Sequence, residues 1–328
     1  MTKDFDLGRR ELFAAAALAV GAAAMPTLIP SAARAQAAAP SPMRPRQYRF
    51  TLGSFEVTTL SDGMRAGDGP YPTFGGDQEE AAVHALMAEN FLPTSTFVTG
   101  FTPTLVNTGT DMILFDTGLG EGARGGGMGR LTAQLGEAGV SPADITIVVL
   151  THMHPDHIGG LMEGGAPVFP NARYVTGETE YDFWTDAARA TGGAERVHGM
   201  VNALVKPFAE KMTFVKPGAS VVSGIDAHAA FGHTPGHMAY HLQSEGRRLM
   251  LTVDAANHYV ASLQRPDWHV RFDMDKAAAA ATRKELFGMI AADKVPFIGY
   301  HMPFPAVGYL VAKGEGFAYM PATYQFEL

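Results

Sequence analysis

Thr151-His152-Met153-His154-Pro155-Asp156-His157-Ile158-Gly159-Gly160 is the stretch that decides how this chain is read. It follows directly on Ile145-Thr146-Ile147-Val148-Val149-Leu150, a run that predicts a strand buried on both faces. The ten residues therefore leave the end of a strand, where functional side chains commonly sit. His152 and His154 are two positions apart, so in an extended segment they fall on one side and reach one cation. Pro155 turns the chain, and Asp156 and His157 then offer an oxygen and an imidazole to a second cation. Four ligand-type residues in six positions, with no Lys or Arg among them, do not make a solvated face.

Working outward, the same grammar recurs on later strand ends. Gly232-His233-Thr234-Pro235-Gly236-His237 follows a strand ending at Phe231, and Asp254 follows Leu249-Met250-Leu251-Thr252-Val253. His301 follows Phe297-Ile298-Gly299-Tyr300 and precedes Pro303. The chain has no cysteine but 12 histidines, so any metal is held by His, Asp or Glu. The same absence excludes disulfides and thiolate nucleophiles.

These runs, in this order, resemble the metallo-β-lactamase superfamily, and the resemblance covers the chain from Asp62 to His301. It implies an α/β fold of the four-layer αβ/βα sandwich type and a dinuclear site. In the implied ligand set His152, His154 and His237 hold one metal, Asp156, His157 and His301 the other, and Asp254 bridges them. Two divalent ions are expected, zinc first because imidazole and carboxylate ligands suit it, with Mn, Co or Fe also accommodated. The implied chemistry is hydrolysis by a metal-bridging hydroxide, with Asp156 and Asp254 as catalytic carboxylates. Asp116, in Ile113-Leu114-Phe115-Asp116-Thr117-Gly118, is similar to the family's aspartate that orients a ligand histidine. His233 is expected to hold its loop rather than the metal.

Within the family, the strongest resemblance is to exported methyl parathion hydrolase-type enzymes and acyl-homoserine-lactone lactonases. Leu52-Gly53-Ser54-Phe55-Glu56-Val57, Asp267-Trp268-His269-Val270-Arg271-Phe272-Asp273 and His301-Met302-Pro303-Phe304-Pro305 carry it. The expected function is a metal-dependent hydrolase that opens lactones or cleaves phosphotriesters and esters. A β-lactam or thioester hydrolase of the same fold, or a non-catalytic metal-stabilised binding protein, stands as the alternative. Val253 departs from the glycine usual before the bridging aspartate, and Asn257 stands where some lactonases place a tyrosine donor. Phe101, Phe183, Trp184, His258, Tyr259 and Trp268 are the candidate substrate contacts, since an aromatic wall suits an acyl chain or an aryl leaving group.

The rest of the chain reads as mixed α and β. A hairpin is expected over residues 47–60 around Gly53, a long Gly/Pro-rich loop over 64–80, and helices over 79–90, 131–138, 178–189, 198–208 and 275–292. Strands are expected over 97–107 and 112–115, and again between 213 and 253. Residues 1–35 read as an export signal, 36–46 as a tether and 47–328 as one hydrolase domain. Gly8-Arg9-Arg10-Glu11-Leu12-Phe13, followed by an Ala-rich apolar segment and Ala33-Arg34-Ala35, resembles a twin-arginine signal. That segment is shorter than the roughly 20 residues of a membrane span, so a periplasmic protein without stable membrane insertion is expected. A net charge of −8 with no dense basic cluster argues against nucleic acid as a partner. The expected partner is a small-molecule substrate, and the resemblance also admits a homodimer.

Overall fold

The structure, a computed structural model, describes residues 46–328. The export segment read over residues 1–35, and the tether save Arg46, lie outside the described residues. The first half runs β1 (Gln47–Leu52), β2 (Phe55–Leu60), β3 (Gly63–Asp68), α1 (Glu80–Glu89), β4 (Thr96–Phe101), β5 (Thr104–Asn107), β6 (Met112–Phe115), α2 (Leu131–Glu137) and β7 (Ile147–Leu150). It continues with α3 (Pro155–Ile158), the small hairpin β8 (Met162–Glu163) and β9 (Ala166–Pro167), β10 (Arg173–Gly177), α4 (Glu178–Thr185), α5 (Glu195–Leu204) and β11 (Met212–Val215). The second half runs β12 (Ser220–Val222), β13 (Ile225–Ala229), β14 (Met238–Ser244), β15 (Arg247–Val253), α6 (Ala261–Gln264), α7 (Lys276–Asp293), β16 (Phe297–Gly299), β17 (Val307–Lys313) and β18 (Gly316–Pro321).

Two seven-stranded sheets result, in the orders β1-β2-β5-β6-β7-β10-β11 and β12-β13-β14-β15-β16-β17-β18. Alternate residues explain why they stack. In β7, Ile147 and Val149 join Tyr240, Leu249 and Leu251 of the other sheet in one core, whereas Val148 and Leu150 join Leu135, Trp184 and Val201 from helices α2, α4 and α5. A strand covered on both faces has no polar side, which is why the run reads as continuously apolar. Phe115 and Tyr240 meet across the sheets with ring centroids 5.1 Å apart. On the far side, Phe287 of α7 meets Phe297 of β16 edge-on at 5.7 Å. The layers are therefore helices, sheet, sheet, helix, as the αβ/βα expectation requires. Among the described residues, no helix is long and apolar enough to cross a membrane.

Four local expectations change. Residues 63–68 form β3, which pairs with β4 as a separate antiparallel ribbon. Its residues Met64, Arg65 and Ala66 are all exposed, so the ribbon carries no apolar alternation to read. The single strand expected over 97–107 divides at Thr102-Pro103, leaving β4 in the ribbon and β5 in the first sheet. Proline has no N–H to give a ladder, so a break there is natural. The helix expected over 178–189 ends at Thr185, and the one over 198–208 is Glu195–Leu204.

Candidate metal centre

The loop after β7 is held before any metal is considered. The Thr151 amide and hydroxyl donate to the two carboxylate oxygens of Asp116, at 2.9 and 2.8 Å. Pro155, whose fixed φ suits a first helical turn, opens α3 and turns the chain. The His157 ring is thereby brought round so that its Nδ1 lies 2.8 Å from Asp116 Oδ2. One buried carboxylate thus fixes the start of the motif and the orientation of its last histidine. Asp116 adopts φ 63° and Val253, next to Asp254, φ 49°. That region is unfavourable for a β-branched residue and costs about 1–3 kcal/mol. Strain stored at Val253, beside Asp254, marks backbone geometry set by the site rather than by local preference.

Two groups of ligand-type atoms converge, each within 4.8 Å: His152, His154, His233 and Asp254 in one, Asp156, His157 and His301 in the other. Asp254 joins them. Its Oδ2 lies 3.1 Å from both His233 Nε2 and His301 Nε2, and its Oδ1 lies 3.4 Å from His157 Nε2. This corrects the third histidine of the first group, expected to be His237. Both ring nitrogens of His237 are taken: Nδ1 lies 2.8 Å from the Ala230 carbonyl, and Nε2 accepts the Asp254 amide at 3.1 Å. His233, expected only to hold the loop, lies with Nε2 2.9 Å from His154 Nδ1. His237 instead fixes the backbone of Asp254.

The donor set fits a divalent cation pair. His157 Nε2 and Asp254 Oδ1 are buried and make no hydrogen bond among the described residues. With His157 Nδ1 donating to Asp116, these are two lone-pair atoms facing one another, an arrangement that needs a proton or a cation between them. The field points the same way. Burial opposes a charge on His157, but Asp254, Asp156 and Asp116 outweigh it and hold its pKa well above the ordinary value. Burial and the neighbouring His233 push His154 down to about 3, which leaves a neutral ring of the kind that ligates metal. For Asp156, burial raises the pKa, but His157 and His301 bring it down to about 2.

Further residues, to which the sequence reading assigned no supporting role, hold the cluster in place. Glu180 is fully buried and accepts from Met153 N at 2.9 Å, Trp184 Nε1 at 2.8 Å, Thr234 Oγ1 at 2.7 Å and Gly236 N at 3.0 Å. It therefore clasps the His152–His154 loop to the His233 loop. Gly236 is needed there because a Cβ would lie 2.2 Å from Glu180 N. Asp273 accepts from His233 Nδ1 at 2.9 Å and from the buried Arg283 Nη1 at 2.7 Å, which ties the ring to α7. Asn257 Nδ2 donates to Asp254 Oδ2 at 3.1 Å. The Tyr300 hydroxyl donates to the Asp156 carbonyl at 2.6 Å. A carboxylate in the first turn of a helix, or one arginine in an Ala-rich helix, reads in sequence as a solvated charge, so Glu180 and Arg283 carry no signal. Glu180→Gln is expected to lose about 2–4 kcal/mol of stability, since an amide NH2 cannot accept where N–H donors converge. Chemical unfolding reads this directly, and a midpoint equal to the parent's would remove Glu180 from the clasp.

Two cavities flank the cluster and share Phe97, Asn257 and His301. One, of about 370 Å³, is polar, with Arg65, Thr73, Thr99 and Arg271 in its wall. The other, of about 490 Å³, is apolar, with Met87, Leu92, Val98, Tyr259 and Phe304. Of the expected substrate contacts, Phe101 lines the polar cavity, and His258 and Tyr259 line the apolar one. Phe183, Trp184 and Trp268 line neither. Trp184 of α4 is buried in the core between the first sheet and its helices, Phe183 is half-buried against that core, and Trp268 shares a core cluster with Phe74 and Val83. Large aromatics stabilise cores: Trp184 meets the His154 ring edge-on at 6.3 Å and so supports the ligand loop, but it lines neither cavity.

A model of the metallo-beta-lactamase superfamily matches residues 102–293. N-acyl homoserine lactonase AttM of Azorhizobium caulinodans is 29% identical over 141 residues, which is 38% of this chain and 46% of that protein. AttM of Agrobacterium fabrum is 30% identical over 128 residues, with the same shares of 38% and 46%. The chain thus spans about half the length of the curated relatives it matches. Among solved structures, that of AidC, a dizinc quorum-quenching lactonase in complex with a product, superposes with a TM-score of 0.77 at 28% identity, covering 85% of this chain and 98% of AidC. The hydrolase AbOPH has the same fold, with a TM-score of 0.78 at 24% identity over 87% of this chain and 100% of its own.

Proposed function

This chain belongs to the metallo-β-lactamase superfamily, and from that premise we propose that it is a metal-dependent hydrolase that opens lactone rings carrying an apolar chain. The observation that carries the reading is the junction of the ligand cluster with the apolar cavity at His301, which belongs to one and lines the other. Two divalent ions held by His152, His154, His233, Asp254, Asp156, His157 and His301, zinc being best suited, would supply Lewis acidity and a water of lowered pKa. The chain's own residues do the rest. Asp156 is the more accessible of the two clustered carboxylates, its side chain 19% exposed against 3% for Asp254. With its pKa near 2 it is ionised at neutral pH, so its Oδ2 can take a proton and return it to the leaving ring oxygen. Asp254 holds the two histidine groups together, and the apolar wall at Met87, Leu92 and Val98 excludes water from the bound chain. Likeness to the AttM lactonases and AidC supports the lactone reading.

The test is kcat/KM of the metal-loaded protein on a long-chain acyl-homoserine lactone and an aryl dimethyl phosphotriester, measured side by side. The expected result is a lactone preference above about a hundredfold, roughly 2.7 kcal/mol in transition-state binding. A reversed preference would make the enzyme a phosphotriesterase. Rates on both no higher than those of the chelated protein would overturn the lactonase reading.

A further inference from the structure

His258 stands in the apolar cavity wall in a state fixed by its neighbours. Its Nδ1 accepts two backbone amides, Val260 N and Ala261 N, each at 3.1 Å. A nitrogen that accepts two N–H groups carries no proton, so the ring is neutral and its proton sits on Nε2. Burial acts the same way and pushes the pKa down to about 4. The ring is also immobilised, stacked on Tyr259 at 10° and 5.2 Å and packed against Phe74 at 4.9 Å. Nε2–H makes no hydrogen bond among the described residues and is not one of the buried atoms closed off from solvent. The result is a rigid, uncharged donor on a mostly apolar wall that it shares with Asn257, His301 and Tyr259.

We propose that His258 is a specificity-determining residue whose Nε2–H donates a hydrogen bond to the amide carbonyl joining an apolar acyl chain to the lactone ring. The proposal rests on the lactonase reading and narrows it to lactones that bear a second, unreacting carbonyl. A neutral donor suits a neutral acceptor; a carboxylate or phosphate would call for a cation. A fixed donor in a mostly apolar wall also discriminates, because a substrate without an acceptor leaves it unpaired. The reacting carbonyl belongs with the ligand cluster on the His301 side, so His258 is left for the carbonyl further along the substrate.

The experiment compares N-decanoyl-homoserine lactone with an alkyl γ-lactone of matched chain length that lacks the amide, using the metal-loaded full chain. His258→Phe is expected to lower kcat/KM on the amide substrate by about 10–100-fold, mostly through KM, and to lower it several-fold less on the alkyl lactone. His258→Gln, which restores a donor, is expected to recover part of the loss, with zinc content and unfolding midpoint close to the parent's. Equal losses on both substrates, or no loss on either, would overturn the assignment. A parent that opens the alkyl lactone but not the amide substrate would overturn it too, while the lactonase reading survives. A parent inactive on both would end both.

Discussion

Asp254→Ala is expected to lower kcat/KM by about 1000-fold or more, to the level of the chelated parent, and added zinc should restore the parent but not the variant. Losing an outer partner of a ligand commonly removes 10–100-fold. Asp254 is worse to lose, because its two oxygens reach His233 and His301 at 3.1 Å and His157 at 3.4 Å, and so touch both ligand groups at once. The metal-free protein offers a second readout. Burial opposes protonation of His233, yet its bonds to Asp254 and Asp273 raise its pKa from 6.5 to about 9. A raised histidine stabilises the fold fully below about pH 6.5, and that stabilisation is lost as pH rises through about 9. Chemical unfolding of the chelated parent should therefore show a decline over this window, and the variant, lacking the carboxylate, a flatter one. Parent-level hydrolysis by Asp254→Ala would refute the shared role of this residue.

His233→Ala and His237→Gln are expected to separate binding from support. His233 Nε2 lies within hydrogen-bond distance of His154 Nδ1 and Asp254 Oδ2, inside the first ligand group. His237 has both ring nitrogens engaged by backbone. Removing His233 should cut bound zinc from two ions per chain to one and lower kcat/KM by about 100-fold or more. Removing His237 should keep both ions at saturating zinc and cost about 1–3 kcal/mol of stability through the unsatisfied Asp254 amide. Elemental analysis after gel filtration decides between them. One ion in His237→Gln and two in His233→Ala would reverse the assignment.

Much of this site is legible in the sequence. The alternation in β1 and β2, the apolar run of β7 and the ligand-type residues beyond Leu150, Val253 and Tyr300 all follow from periodicity and residue chemistry. Strand β3 of the ribbon was not legible, because a strand exposed on both faces leaves no hydrophobic pattern. Nor was the substrate wall: Trp184 and Trp268 are as aromatic as Tyr259, and only packing separates core from cavity. Glu180 and Arg283 gave no sign, since a buried charge and a solvated one are written with the same letter.

The ligand chemistry is written in the residues: a cysteine-free set of histidines and aspartates at strand ends, ordered as in one superfamily. This holds because ligand identity is a property of the residue and strand ends are set by local hydrophobic runs. The choice between His233 and His237 is made by packing. Both stand four positions apart in one loop, and what distinguishes them is which ring nitrogens the Ala230 carbonyl and the Asp254 amide already occupy. Those partners are brought to the ring by the packed sheet, so which lone pair remains free is decided by long-range packing and not by spacing along the chain.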